Sequence, residues 1–143
     1  MRPFVCLVAA ATAAAALAGA ASADRVYHTH KIKLTGGPGW GTVINIHASG
    51  PRVFAHELYR LHHGTPGTYQ VALQIFPEAT DCTGTSFPIA GPTFTTNRVG
   101  NGHSGAKFTP EDAAPIRHST VSVIWTFTGP ATYASACQIV TLD

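Results

Sequence analysis

The chain has 143 residues, of which 45% are apolar and 11% are charged, and its formal net charge is +2 with histidine neutral. This composition excludes a disordered chain, which combines low hydrophobicity with high net charge, and its length fits one domain. Lys and Arg form no run anywhere in the sequence, so no basic footprint for nucleic acid is indicated. We therefore expect a single folded domain with no nucleic-acid partner.

The first 23 residues are typical of a secretory signal peptide. Arg2 precedes the apolar stretch from Phe4 to Leu17, and Ala21-Ser22-Ala23 forms a small-residue cleavage motif. The apolar stretch, about 14 residues, is shorter than the roughly 20 that a membrane-spanning helix needs. We predict cleavage near Ala23, leaving a mature domain of residues 24–143 that has no membrane span. This domain would be secreted to the extracellular space or the cell envelope.

Two cysteines remain in the predicted mature chain, Cys82 and Cys137. An even number of cysteines in an exported protein is expected to be oxidised, and two cysteines allow only one pairing. Closing this loop removes entropy from the unfolded chain and stabilises the fold by roughly 4 kcal/mol. The alternative, a pair of thiolate metal ligands or a redox site, lacks the C-x-x-C spacing. The sequence therefore predicts a structural disulfide.

Alternation of large apolar residues with smaller or polar ones indicates β-strands. The pattern is clearest from Tyr69 to Ile75 and from Ser119 to Thr128, where Ile124 is the one apolar intruder. We predict an all-β domain, a single antiparallel β-sandwich of the immunoglobulin-like type with seven or eight strands. The remaining strands would lie in segments rich in β-branched and aromatic residues and bounded by Gly and Pro turns: 26–34, 41–48, 87–96, 104–108 and 133–142.

The segment from Val53 to His63 fits either a strand or a short helix. A helix would have an apolar stripe of Phe54, Leu58 and Leu61, whereas a strand agrees with the β-character of the neighbouring segments and is favoured. In the strand, Glu57 falls within an apolar row, where a carboxylate is costly unless it is hydrogen-bonded or paired. We expect Glu57 to lie at the rim of the sandwich, to pair with a basic group, or to mark a helix.

The stretch from Pro110 to Pro115 is expected to form a single helical turn between two strands. Thr109 is a suitable N-cap, and proline fits the first helical position. The acidic residues Glu111 and Asp112 would then lie at the positive end of the turn.

Histidine is unusually frequent, with eight residues in the predicted mature chain. On a strand, His28 and His30 would project from one face about 6 to 7 Å apart, close enough to share a metal ion. This H-x-H spacing resembles part of the copper/zinc superoxide dismutases, which implies a copper or zinc site. The further His and Asp ligand runs of those enzymes are missing. Metal binding through His28 and His30 is therefore kept as an alternative, and the first expectation is that the chain has no cofactor.

Trp40 stands between two glycines, where its indole would be displayed for stacking on a sugar or on a partner protein. The competing interpretation is that Trp40 folds back over an open edge of the sandwich. The loop from Pro77 to Phe87 contains Cys82 and would be held rigid by the disulfide. Small exported protease inhibitors present such preorganised loops, so inhibition of a protease is a further possibility.

Catalytic motifs are absent from the sequence. No G-x-S-x-G motif occurs, the two cysteines are expected to be oxidised, and the seven acidic residues are scattered along the chain. We expect no enzymatic activity.

Most of residues 41–143 resembles small secreted proteins of unassigned function from actinobacteria. The resemblance rests on His56-Glu57-Leu58-Tyr59, on Thr96 to Gly102 and on Cys137 to Asp143. It implies a single extracellular β-sandwich and supplies no catalytic residues. The chain is therefore expected to be a monomeric, non-catalytic binding or cell-envelope module for an unknown protein or glycan ligand.

Overall fold

The computed structural model describes residues 27–48, 55–77, 80–113, 116 and 119–142. Within these ranges the chain is all-β, as predicted, with a single helical turn. The predicted signal peptide lies outside the described residues. The elements are β1 (Tyr27–Thr35), β2 (Trp40–Ala48), β3 (Ala55–His62), β4 (Thr68–Phe76), β5 (Phe87–Thr95), β6 (Gly102–Phe108), α1 (Pro110–Ala113), β7 (Ser119–Thr128), β8 (Thr132–Ser135) and β9 (Gln138–Leu142).

The strands form one continuous antiparallel sheet. Their order is β5-β4-β7-β8-β1-β2-β3-β6, and β9 pairs with β7. The outermost strands β5 and β6 contact each other, and at the turn between them the Asn97 N–H donates to the Asn101 carbonyl at 2.9 Å. The predicted antiparallel architecture thus takes the form of a curled, nearly closed and barrel-like sheet. Twist accumulated over many strands favours such closure, which protects the edges.

The described residues form nine strands where seven or eight were predicted. The predicted segment 133–142 is divided into β8 and β9, which both pair with the same side of β7. Thr126 pairs with Ala134, and Val123 pairs with Gln138, so three steps along β7 correspond to four along its partner. One extra residue therefore interrupts the ladder next to Cys137, and this bulge produces the additional strand.

The segment from Val53 to His63, whose sequence fits either a strand or a helix, forms a strand in its described part. β3 pairs with β2 on one side and with β6 on the other, while Val53 and Phe54 lie outside the described residues. Glu57, Tyr59 and Leu61 are buried, whereas Leu58 is 41% exposed. A helix would bury Leu58 in its apolar stripe. The observed burial instead alternates from residue to residue, as it does in a strand.

The predicted helical turn is present as α1. The Thr109 N–H donates to Asp112 Oδ2 at 2.7 Å, and the Asp112 N–H donates to Thr109 Oγ1 at 3.4 Å. This reciprocal pairing is a capping arrangement that satisfies N–H groups at the start of a helix. The hydrogen bonds from Thr109 lower the pKa of the Asp112 carboxyl.

The interior of the barrel differs between its two ends. At the turn end, where β1 runs into β2 and β5 into β6, the core is aromatic: Phe94 is stacked on Tyr69 and lies edge-on to Phe127. The hydroxyl of buried Tyr133 donates to the Pro38 carbonyl at 2.6 Å, which ties the β1–β2 turn to the core. At the helix end, which carries α1, the inner walls are mainly aliphatic.

The predicted disulfide joins Cys82 to Cys137, with a Cα–Cα distance of 5.7 Å. It links the β4–β5 loop to the interruption between β8 and β9. The Cys82 N–H also donates to Ser122 Oγ on β7 at 3.1 Å. Such a bond is compatible with an extracellular protein. No helix in the described part of the chain is long and apolar enough to cross a membrane.

Candidate functional site

Trp40 is the first residue of β2, and its side chain is 39% exposed. Its ring is stacked on His62 of the neighbouring strand β3, with the ring centroids 4.2 Å apart. The stacked histidine covers one part of the indole, and the rest borders a recess on the outer surface of the sheet.

His28 and His30 both lie against His47, which is directly opposite His28 in the β1–β2 pair. The rings of His30 and His47 are nearly parallel, and their Nε2 atoms are 3.4 Å apart although the ring centroids are 5.4 Å apart. The two Nε2 atoms therefore lie on the sides of the two rings that face each other. Among the described residues, no group of three or more His, Cys, Asp or Glu side chains is placed to hold a metal ion.

The polar cluster inside the barrel surrounds Glu57, a residue that is only 1% exposed. Its Oε1 accepts hydrogen bonds from Asn45 Nδ2 at 2.7 Å and from Trp125 Nε1 at 3.0 Å. Its Oε2 accepts from the Tyr59 hydroxyl at 2.5 Å and from Trp125 Nε1 at 3.0 Å. Of the three expectations for Glu57, none is right: it is buried in a strand and bound by uncharged donors.

The fold assembles this cluster from three strands. Asn45 and Glu57 are direct partners across the β2–β3 ladder, and Tyr59 follows two residues later on the same face. Trp125 lies on β7, which is separated from β2 in the sheet order by β8 and β1. Because the sheet curls, the indole reaches Glu57 from the opposite wall. The cluster therefore connects two walls of the barrel through its interior.

Burial controls the acid–base behaviour of the cluster. It raises the pKa of the Glu57 carboxyl, and the hydrogen bonds from Tyr59, Asn45 and Trp125 oppose part of that rise. Burial, together with the nearby Glu57 carboxyl, also raises the pKa of the Tyr59 phenol. The phenol consequently stays protonated and acts as a hydrogen-bond donor.

The raised pKa predicts an unusual pH dependence of stability. We expect the free energy of unfolding of the wild type, relative to Glu57→Gln, to decrease as pH rises from below 4.5, the ordinary pKa of this carboxyl. Between the pKa of the Glu57 carboxyl in the unfolded state and its raised pKa in the native state, the native state binds more protons than the unfolded state. The stability that this carboxyl contributes is therefore complete below the unfolded-state pKa and is lost as pH rises through the native-state pKa. Urea denaturation of both proteins from about pH 4 to about pH 8 measures the difference. A difference that stays constant or grows with pH would contradict the assignment.

A cavity of about 70 Å³ adjoins the cluster at the helix end of the barrel. It adjoins a groove of about 570 Å³ between β5 and β6, because three residues border both spaces: Ile89, Phe108 and Asp112. The cavity wall also includes Asn45, Glu57 and Trp125. Its remaining lining is largely aliphatic: Ala55, Leu73, Ile75, Ile116, Val121, Val123 and Val140, together with His47.

One acceptor on the cavity wall is buried without a partner. Asn45 is 5% exposed, and its Nδ2 group donates to Glu57, but its Oδ1 atom has no hydrogen-bond partner within the described ranges. An unsatisfied buried polar atom costs about 1 to 3 kcal/mol, so native proteins rarely leave one without a reason. The atom is therefore a suitable acceptor for an N–H or O–H donor that enters the cavity.

The carboxyl itself is poorly placed to act on such a molecule. Three side-chain donors already bond its two oxygens: the Asn45 amide donates to Oε1, the Tyr59 hydroxyl donates to Oε2, and the single indole N–H of Trp125 is shared between both. A carboxylate oxygen offers about two lone-pair positions, so the cluster leaves Glu57 little capacity for a further partner. The hydrogen bond from Asn45 to Glu57 is instead suited to holding the Asn45 side chain, a polar group on the cavity wall, in one orientation.

No protein-family model matches the chain, and neither a curated protein nor a solved structure shows significant similarity to it.

Proposed function

We propose that this protein is a secreted, non-catalytic binding protein that holds a small amphiphile in the cavity at the helix end of the barrel. The observation that carries the proposal is the buried Oδ1 atom of Asn45, which has no hydrogen-bond partner among the described residues and lies on the wall of a mainly apolar cavity. A ligand with an apolar body and one hydroxyl or N–H donor would satisfy this atom. Binding sites commonly combine apolar walls with a few polar groups that set the orientation of the ligand.

The volumes limit the kind of ligand. A cavity of about 150 Å³ accommodates benzene, whereas this one measures about 70 Å³. Only a small group, such as a hydroxymethyl or short alkyl segment, fits beside Asn45. The rest of the ligand would lie in the larger groove between β5 and β6, so we expect an elongated molecule with its donor at one end.

Two features support a binding role without catalysis in an exported protein. The oxygens of Glu57 are engaged by three side-chain donors, so the best candidate base has little capacity left for a substrate. The disulfide between Cys82 and Cys137 is compatible with an oxidising compartment, and the leader at residues 1–23 supplies the predicted route to it.

The proposal is tested with hexan-1-ol and its methyl ether, 1-methoxyhexane, as matched probes. Both have the same alkyl chain, but only the alcohol donates a hydrogen bond to Asn45 Oδ1. We expect the alcohol to bind about three- to tenfold more tightly, as a net hydrogen bond of about 0.5 to 1.5 kcal/mol implies. Titration followed by backbone amide NMR gives both dissociation constants and locates the shifts.

Variants that fill the cavity provide the controls. Ala55→Leu and Val140→Phe enter the cavity from two different strands and should weaken binding of hexan-1-ol at least tenfold. Ala72→Leu makes the same alanine-to-leucine change on a residue of β4 that does not line the cavity, and it should leave binding unchanged. Equal affinities for alcohol and ether, shifts outside the cavity, or unaltered binding by the filled variants would refute the proposal.

A further inference from the structure

The outer surface of β1, β2, β3 and β6 is a continuous positively charged face, which we call the basic face. It comprises the cations Lys31, Lys33, Arg60 and Lys107, the stacked pair Trp40 and His62, and the apolar side chains Ile44, Ile46 and Leu58 between them. All four cations are exposed. The described residues hold only one other cation, Arg98, and it lies in the β5–β6 turn.

The pairing registers show how the charges are ordered. Lys33, Thr42, Arg60 and His103 are successive partners across the four strands, so they form one row over the face. Neighbouring strands are about 4.8 Å apart, which separates the Lys33 and Arg60 backbones by about 10 Å. Lys31 extends the positive edge along β1. The cations therefore form a two-dimensional pattern across the sheet, which a search of the sequence for runs of charge does not reveal.

Among the described residues, no acidic side chain lies on this face. The only carboxylate on its four strands is Glu57, which points into the barrel, and the other described carboxylates lie on α1 and in the loop at Asp81. None of Lys31, Lys33 and Arg60 has a carboxylate partner among the described residues. These cations are therefore free to attract an external anion, and the absence of nearby negative charge strengthens the field.

Two recesses flank the stacked pair of Trp40 and His62. One measures about 360 Å³ and is bordered by Trp40, Thr42, Lys31 and Lys33. The other, on the side of His62, measures about 570 Å³, and its lining includes Arg60, His103 and the side chains of Asn97 and Asn101. The aromatic pair is thus a ridge with cationic hollows on both sides.

We propose that the basic face binds an extended acidic polysaccharide that crosses the ridge. A pyranose ring would pack against the exposed part of the Trp40 indole, and carboxylate or sulfate groups on neighbouring sugars would meet Lys33 on one side and Arg60 on the other. Guanidinium and ammonium groups form strong, charge-assisted hydrogen bonds with such anions. Separate hollows on either side of a ridge fit a chain of discrete units better than the smooth surface of a bilayer.

The test uses a galacturonic acid hexamer as the acidic probe and its methyl-esterified form as the neutral probe, with calorimetry at low and at physiological salt. We expect the ester to bind at least tenfold more weakly, and the affinity of the acid to fall as salt rises. Trp40→Ala should weaken binding about five- to tenfold through the lost aromatic contact. Circular dichroism of each variant confirms that the barrel is retained.

Charge-matched variants separate a specific face from general attraction. Lys33→Gln and Arg60→Gln should each weaken binding of the acid about threefold or more, whereas Arg98→Gln, which removes the same charge from the β5–β6 turn, should have less than a twofold effect. Equal effects of all three variants, equal affinity for the esterified probe, or binding to phosphatidylglycerol vesicles in place of the hexamer would each overturn the proposal. The hydrophobic cavity is not involved, so these outcomes are independent of the amphiphile experiment.

Discussion

Replacing Glu57 with alanine is expected to destabilise the protein by about 4 kcal/mol. The change leaves the Trp125 indole N–H, the Asn45 amide and the Tyr59 hydroxyl without their shared acceptor. Each buried polar group that loses its partner costs about 1 to 3 kcal/mol, and the removed side-chain volume adds a cavity term. Urea denaturation at neutral pH, with circular dichroism as the probe, measures the change.

Two further variants show whether the cost arises from the hydrogen-bond cluster. Glu57→Gln preserves the volume, and a reversed Asn45 amide would accept from the new NH₂ group, so its cost should be about half that of alanine or less. Glu111→Ala removes an exposed carboxylate from α1 and should change stability by less than about 0.5 kcal/mol. If Glu57→Ala costs less than about 1 kcal/mol, or if Gln is as damaging as Ala, the cluster does not hold the two walls together.

The strands could be predicted from the sequence, but the closure of the sheet could not. Alternation reports which face of a strand is buried, and it located β4 at Thr68–Phe76 and β7 at Ser119–Thr128 almost to the residue. It carries no information on which strand lies beside which. The contact between β5 and β6 depends on twist summed over the whole sheet, and the bulge beside Cys137 depends on one extra residue in a register.

The candidate site was only partly visible in the sequence. A carboxylate in an apolar row marked Glu57 as anomalous, and Asn45 could have been found by the same argument, since it shares a face with Val43 on the strand predicted there. Trp125 is buried within the alternating segment from Ser119 to Thr128, but its contact with Glu57 spans 68 residues of sequence. Only the curvature of the sheet brings these two side chains together.

The basic face illustrates a different limit of sequence analysis. Its cations are separated by single residues on β1 and by whole strands elsewhere, so a search for charge runs detects nothing. The modest net charge of the chain also concealed it, because the acidic groups Glu111 and Asp112 lie on α1 and not on the four strands of the face. Charge distribution on a sheet follows from the pairing of its strands, and the pairing was the part that could not be predicted.

Removing the disulfide with Cys82→Ser and Cys137→Ser together should lower the free energy of unfolding by about 4 kcal/mol. The bond spans 55 residues of sequence, and opening it restores the conformational freedom of that long loop to the unfolded chain. A local effect adds to the global one, because β9 pairs with β7 and with no other strand in the described part of the chain. The covalent link at Cys137 is therefore the second anchor of the C-terminal strand.

Urea denaturation measures the global loss, and hydrogen exchange separates it from the local one. In the double variant we expect the amides of β9, including Val140, to lose protection beyond the global change, whereas those of β3, which is paired on both sides, should follow global unfolding. The wild type under reducing conditions should behave like the double variant, because both have an open loop. A double variant that unfolds at the same urea concentration as the oxidised wild type would show that the barrel holds its C-terminal strand without the covalent link.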